Sequence, residues 1–84
     1  MSVDLSPAQL RVLRATAALL TEQGSASYRE IAARCGLASY TTARLHLQAC
    51  AAAGLVTMPP ARQPRGVRLT APGETAVRAL EATS

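Results

Sequence analysis

Three serine-led helix starts and three glycine stops divide the first 54 residues, and this punctuation constrains the fold more than any other feature. In Ser6-Pro7-Ala8-Gln9, Ser6 is the cap, Pro7 takes the first helical position and Gln9 completes a capping box. Ser27 and Glu30 repeat the box at the same spacing, and Ser39 caps a third segment. Gly24, Gly36 and Gly54 close the three segments, where a left-handed turn suits glycine. Helices are therefore predicted over about 7–23, about 28–35 and about 40–53.

Apolar spacing assigns faces to them. Leu10, Leu13, Ala17 and Leu20 form the expected inward stripe of the first helix, widened by Val12 and Leu19, with Arg11, Arg14, Ala18 and Glu22 opposite. The second helix turns Ile31, Ala32 and Cys35 inward, and Leu37 follows as a buried anchor. In the third, Tyr40, Ala43, Leu47, Cys50 and Ala51 point inward; Thr41, Leu45, Gln48 and Ala52 point outward, flanked by Thr42, Arg44 and Ala49.

After Gly54 the period changes. Leu55-Val56-Thr57 is a short strand signal, and Val67-Arg68-Leu69 alternates as a second. Between them lie three prolines and two arginines, so a β-hairpin with an exposed tip is predicted over about 55–69. Thr70 caps a last helix over about 71–82, with Pro72 in its first turn and Val77 and Leu80 inward.

The chain of 84 residues is expected to be a single domain over 1–84. Its core is thin, because the sequence has no Phe or Trp and much of its 49% hydrophobic content is alanine. Such a stock favours close-packed helices over a β-sandwich and leaves no room for a deep substrate pocket, so an enzyme is not expected. Two cysteines and one histidine, without a CxxC pair, support neither a metal site nor a cofactor. Cys35 and Cys50 are expected as small apolar core residues, with a thiol–disulfide switch as the alternative. No run of apolar residues reaches the ~18 of a membrane span, and the opening residues lack the order of a signal peptide. A soluble, cytoplasmic, nucleoid-associated chain is the expectation.

Charge points to a partner. All nine basic residues are arginine, the net charge is +4, and no acid occurs between Glu30 and Glu74. Arg34, Arg44, Arg62, Arg65 and Arg68 fall in that acid-free block. A one-sign block across the middle of a domain is the footprint of a phosphate-binding surface.

The element order defines the expected fold class: mainly α with a small β-hairpin, a winged helix-turn-helix with a three-helix core, a two-stranded wing and a C-terminal helix. Glu30-Ile31-Ala32-Ala33-Arg34-Cys35-Gly36-Leu37 is the central signal, with a small residue where two helices cross and a glycine at the turn. At these residues, and through Ser39 to Val56 and Arg65 to Leu69, the chain resembles the LexA repressor DNA-binding domain. Leu69-Thr70-Ala71-Pro72-Gly73 is more similar to the start of the post-wing helix in MarR-type regulators. The resemblance implies a DNA-binding transcriptional regulator, a repressor by analogy. LexA proteins also cleave themselves with a Ser/Lys pair; this chain has no lysine, so self-cleavage is not expected. Thr41, Thr42, Arg44 and Leu45 stand where LexA-type proteins carry a different, partly acidic set, so an SOS operator is not expected either.

The expected mechanism is insertion of the third helix into the major groove of double-stranded DNA. Ser39, Thr41, Thr42, Arg44, Leu45 and Gln48 are the candidates for base contacts: Gln48 for adenine, the hydroxyls for either groove edge, Leu45 for a thymine methyl, Arg44 for guanine or phosphate. Ser27, Tyr28 and Arg29 at a helix start, and Arg62, Arg65 and Arg68 along the wing, are the phosphate or minor-groove candidates. Plainer roles exist for each: first-turn polar residues for Thr41 and Thr42, braces for Tyr28 and Tyr40, a structural margin for His46, solubilising charges for Arg62 and Arg65. Because one winged helix reads few base pairs, a homodimer is expected, with Val12 and Leu19 of the first helix or Val77 and Leu80 of the last as candidate surfaces. Two other readings stay open: an adaptor that binds another protein, such as a polymerase or a replication component, through the third helix (Leu45, Ala49, Ala52 and Ala53) or the wing, and a redox-responsive regulator using Cys35 and Cys50.

Overall fold

The computed structural model describes residues 5–58 and 66–82. Its elements are α1 (Pro7–Gln23), α2 (Tyr28–Cys35), α3 (Tyr40–Ala52), β1 (Val56–Thr57), β2 (Arg68–Leu69) and α4 (Ala71–Ala82). The strands pair antiparallel with Val56 opposite Leu69 and Thr57 opposite Arg68, so the architecture is the winged helix-turn-helix. The expected tip of the wing, with Arg62 and Arg65, lies outside the described residues.

The caps explain where the helices begin and end. Ser6 accepts from the Gln9 amide at 3.2 Å while the Gln9 side chain accepts from the Ser6 amide at 2.9 Å. Ser27 and Glu30 make the same reciprocal pair at 3.2 and 3.1 Å. α1 and α2 stop on Gly24 and Gly36, both left-handed with φ 76° and 69°. α3 ends at Ala52 on an ordinary right-handed cap, Ala53, and Gly54 takes the left-handed turn one step later. Fixing these termini satisfies the orphan amides and carbonyls and stabilises each short helix by ~1 kcal/mol per cap.

The core lies where α1, α2 and α3 meet. Leu13, Ile31, Ala43, Leu47, Cys50 and Val67 are fully buried there. The buried face of α1 is Val12, Leu13, Ala15, Thr16 and Leu19, which corrects the expected stripe: Leu10, Ala17 and Leu20 are only half-buried. α1 packs against α2 and α3, and also against α4. The cover by α4 is thin, since Val77 is the one large apolar side chain that α4 buries. An open groove lined by Ala17, Leu20, Leu69 and Val77 remains between α1 and α4. Thr16, buried in the middle of α1, escapes a desolvation penalty by donating its hydroxyl to the Val12 carbonyl at 2.9 Å.

Other expected faces shift in smaller ways. Leu37, Cys35, Ala51 and Leu80 are half-buried rather than deep. Tyr40 is a larger correction, being 49% exposed instead of inward. It is the first residue of α3, and its ring meets a cation described below.

Two ties join the hairpin to the helices. Ala26, fully buried in the α1–α2 turn, forms a parallel bridge with Gly66. Thr70 accepts from the Gly73 amide at 3.1 Å and donates to the Gly54 carbonyl at 2.6 Å, so α4 starts on the turn that ends α3. The Thr70 amide also reaches the Leu55 carbonyl at 3.0 Å.

Candidate nucleic-acid interface

Burial of one side of α3 decides what the other side presents. Ala43, Leu47 and Cys50 are locked into the core, so Thr41, Arg44, Leu45, Gln48 and Ala52 are exposed on the opposite arc. Leu45 is 60% exposed. No acidic residue occurs anywhere in α3.

The start of α3 is organised by its cap. The Ser39 hydroxyl accepts from the Thr42 amide at 3.4 Å and lies 3.3 Å from the Thr42 hydroxyl. Thr42 is half-buried, unlike its neighbour Thr41. Ser39 and Thr42 thus shape the helix terminus together, and the exposed arc proper is Thr41, Arg44, Leu45 and Gln48.

α2 brings a positive charge to the same end. The Arg29 guanidinium stands over the Tyr40 ring, 5.6 Å from its centroid, an arrangement in which the ring face attracts the cation. Arg29 is exposed and Tyr28 beside it is half-buried against the core. Ser27 is occupied by its capping box. The Arg29–Tyr40 pair was invisible to helical periodicity, because it joins two helices through their termini.

The remaining arginines distribute differently. Arg34 forms a bidentate pair with Glu22 at 2.6 and 2.8 Å, tying the ends of α2 and α1, so its charge is matched although it lies in the acid-free block. That hydrogen-bonded guanidinium holds the Glu22 carboxyl below its usual range, and the carboxylate holds Arg34 above its own. Arg68 lines the α1–α4 groove together with Glu22, Glu74 and Glu81, and no residue of α3 lines that groove. Arg62 and Arg65 lie outside the described residues.

Neither cysteine belongs to the exposed arc of α3. Cys50 is buried and Cys35 half-buried, both are free thiols, and their sulfurs lie 3.8 Å from the Gln9 carbonyl and 3.6 Å from the Arg11 carbonyl. Burial pushes both thiols above their ordinary range, with Arg11 opposing the rise at Cys35. Among the described residues no group of three or more His, Cys, Asp or Glu is placed to hold a metal, and no helix is long and apolar enough to cross a membrane.

A three-helix core with a short wing, an outward third helix without acids and an arginine at its entrance define a winged helix-turn-helix DNA-binding domain. The LexA DNA binding domain family matches residues 2–66. The chain belongs to that family, a regulatory DNA-binding fold rather than a catalytic one, and double-stranded DNA is its partner. The match stops before α4. No curated protein matches the chain.

Proposed function

We propose that this chain is a small sequence-specific transcriptional repressor that inserts α3 into the major groove. The observation that carries the reading is the exposed, acid-free arc of Thr41, Arg44, Leu45 and Gln48, held outward by burial of Ala43, Leu47 and Cys50. Thr41 and Gln48 supply hydrogen-bonding groups for base edges, Arg44 a donor fork for guanine or phosphate, and Leu45 an apolar contact. Ser39 and Thr42 hold the helix terminus at the groove. Arg29, held over the Tyr40 ring, supplies a cation for a backbone phosphate at the start of α3. Arg62 and Arg65 follow the backbone or enter the minor groove from the wing, while Tyr28 braces α2.

Specific affinity of ~10⁻⁸–10⁻¹¹ M generally takes two modules, so the chain acts as a homodimer. Val12, Leu19 and Val77 are buried and offer no surface for it, so the pairing rests on half-buried Leu80, with Leu20, on the thinly covered α1–α4 side, which leaves α3 free on each copy. The MarR-like segment Leu69–Gly73 then serves to seat α4 for this purpose.

One observation favours a second reading. Leu45, Ala52 and Ala53 expose an apolar strip that an adaptor would press onto a protein partner. The redox reading has no comparable support, since desolvation of both thiols opposes formation of the reactive thiolate.

Fluorescence-polarisation binding to random-sequence duplex DNA across a salt titration tests the proposal. Binding that weakens steeply with salt is expected, because displaced counterions set the slope. No binding at low salt would move Leu45 and its neighbours to the adaptor role.

A further inference from the structure

The outward half of α3 is divided lengthwise. Tyr40, Arg44 and Gln48 follow one another four residues apart along one edge of the helix. Thr41, Leu45 and Ala49 do the same one residue later, with Ala52 alongside. The first row is polar and carries positive charge at Arg44, and the Arg29 guanidinium covers Tyr40 at its N-terminal end. The second row presents methyl groups at Leu45, at half-buried Ala49 and at Thr41 beside its hydroxyl. At its centre Leu45 leaves 60% of its surface exposed.

We propose, resting on the DNA-reading function above, that the Thr41–Leu45–Ala49 row detects the C5-methyl group of a pyrimidine. The edge of a base pair presents a single apolar group in the major groove, the C5-methyl of thymine, and 5-methylcytosine carries the same group at the same ring position. Charge complementarity selects the occupant: the row lies beside Arg44 and Arg29 on a helix without acids, so what covers Leu45 is a polyanion that also offers a methyl group. Methylation of a cytosine at the base meeting Leu45 therefore strengthens binding, and removal of a thymine methyl weakens it.

The test uses the full chain and a duplex selected by it from a random library. Each thymine is replaced in turn by deoxyuridine, which removes the methyl and leaves pairing intact. A loss of about fourfold is expected at one position of each half-site, the worth of one buried methyl group, with little change elsewhere. At that position 5-methylcytosine binds more tightly than cytosine by a similar factor. Leu45→Ala flattens both differences, each read as the ratio of affinities for the paired duplexes on the same variant. A selected sequence in which every deoxyuridine substitution is neutral overturns the proposal, as does methyl discrimination that survives Leu45→Ala. Failure to bind any duplex at low salt overturns the DNA reading beneath it, which is a different result.

Discussion

Gly73 packs against the backbone of Leu55 so closely that a β-carbon there would lie 2.9 Å from the Leu55 carbonyl carbon and closer still to its oxygen. Backbone cannot move aside as the end of a side chain can, so this contact fixes how near α4 approaches the turn after α3. Local helix propensity favours Gly73→Ala by ~1 kcal/mol. Overpacking opposes it by ~1–3 kcal/mol, and the collision with main chain places the cost at the upper end. Gly73→Ala is expected to lower the melting temperature, and an unchanged or raised value would show that α4 seats without this close approach.

Gly73 also marks what a sequence can and cannot disclose. The caps at Ser6, Ser27 and Ser39 are local chemistry, with each partner three residues away, so they were legible. The winged architecture followed from their order, and the family match over residues 2–66 agrees with it. What escaped depends on distant neighbours. Leu10, Ala17 and Leu20 have the right helical spacing, but the thin cover by α4 leaves them half-buried. Tyr40 looked apolar and inward, yet as the first residue of α3 it is half exposed and meets Arg29. Ala26 gives no local sign that it bridges to Gly66, forty residues later. For the interface, the outward arc of α3 was legible from the inward one, whereas the matching of Arg34 by Glu22 needed the fold.

The Glu22–Arg34 pair sets a pH dependence. The folded-state pKa of Glu22 is depressed by Arg34, so the stabilisation is present above the unfolded pKa and is lost as pH falls through the lower folded value. Urea midpoints of the wild type and Glu22→Gln should differ at about pH 7 and converge as the pH falls below the ordinary carboxylate range and Glu22 protonates. Both groups are exposed, so added salt should shrink the difference as well. A difference that persists in acid would assign the effect of Glu22→Gln to something other than the ion pair.

The stacked pair at the entrance to α3 predicts an ordered series. Arg29→Ala should weaken binding to all DNA sequences alike and lower the salt slope by about one. Tyr40→Phe keeps the ring face and is expected to bind as the wild type does, whereas Tyr40→Ala releases the guanidinium and should bind more weakly. Equal binding by the phenylalanine and alanine variants would remove Tyr40 from any positioning role.

Cys50 should behave as a core residue. Alkylation in the folded state is expected to be far slower than that of a free thiol, rising to the ordinary rate on unfolding, because burial raises its pKa and blocks access. A thiol pKa raised by folding also means that its proton is held more tightly in the native state. That contribution is present below the unfolded thiol value of ~8.5 and is lost as pH rises through the folded one. Thermal unfolding of the wild type should therefore weaken on the alkaline side more than that of Cys50→Ala. Rapid native-state alkylation of Cys50 would contradict this and return the redox reading to consideration.

Gln48 and Arg44 separate reading from holding. They lie one helical turn apart on the polar row of α3, and both are exposed. An amide that pairs with a base edge changes the ranking of sequences, while a guanidinium on phosphate changes the affinity for all of them. Gln48→Ala is expected to cost ~1–3 kcal/mol on the preferred duplex and little on random DNA, relaxing choice at one base position. Arg44→Ala distinguishes its two options directly: loss confined to duplexes with guanine at one position assigns it to a base, and uniform loss with a shallower salt slope assigns it to the backbone. If both variants retained the wild-type ranking and slope, α3 would not be the reading element, and the exposed arc around Leu45 would belong to a protein contact.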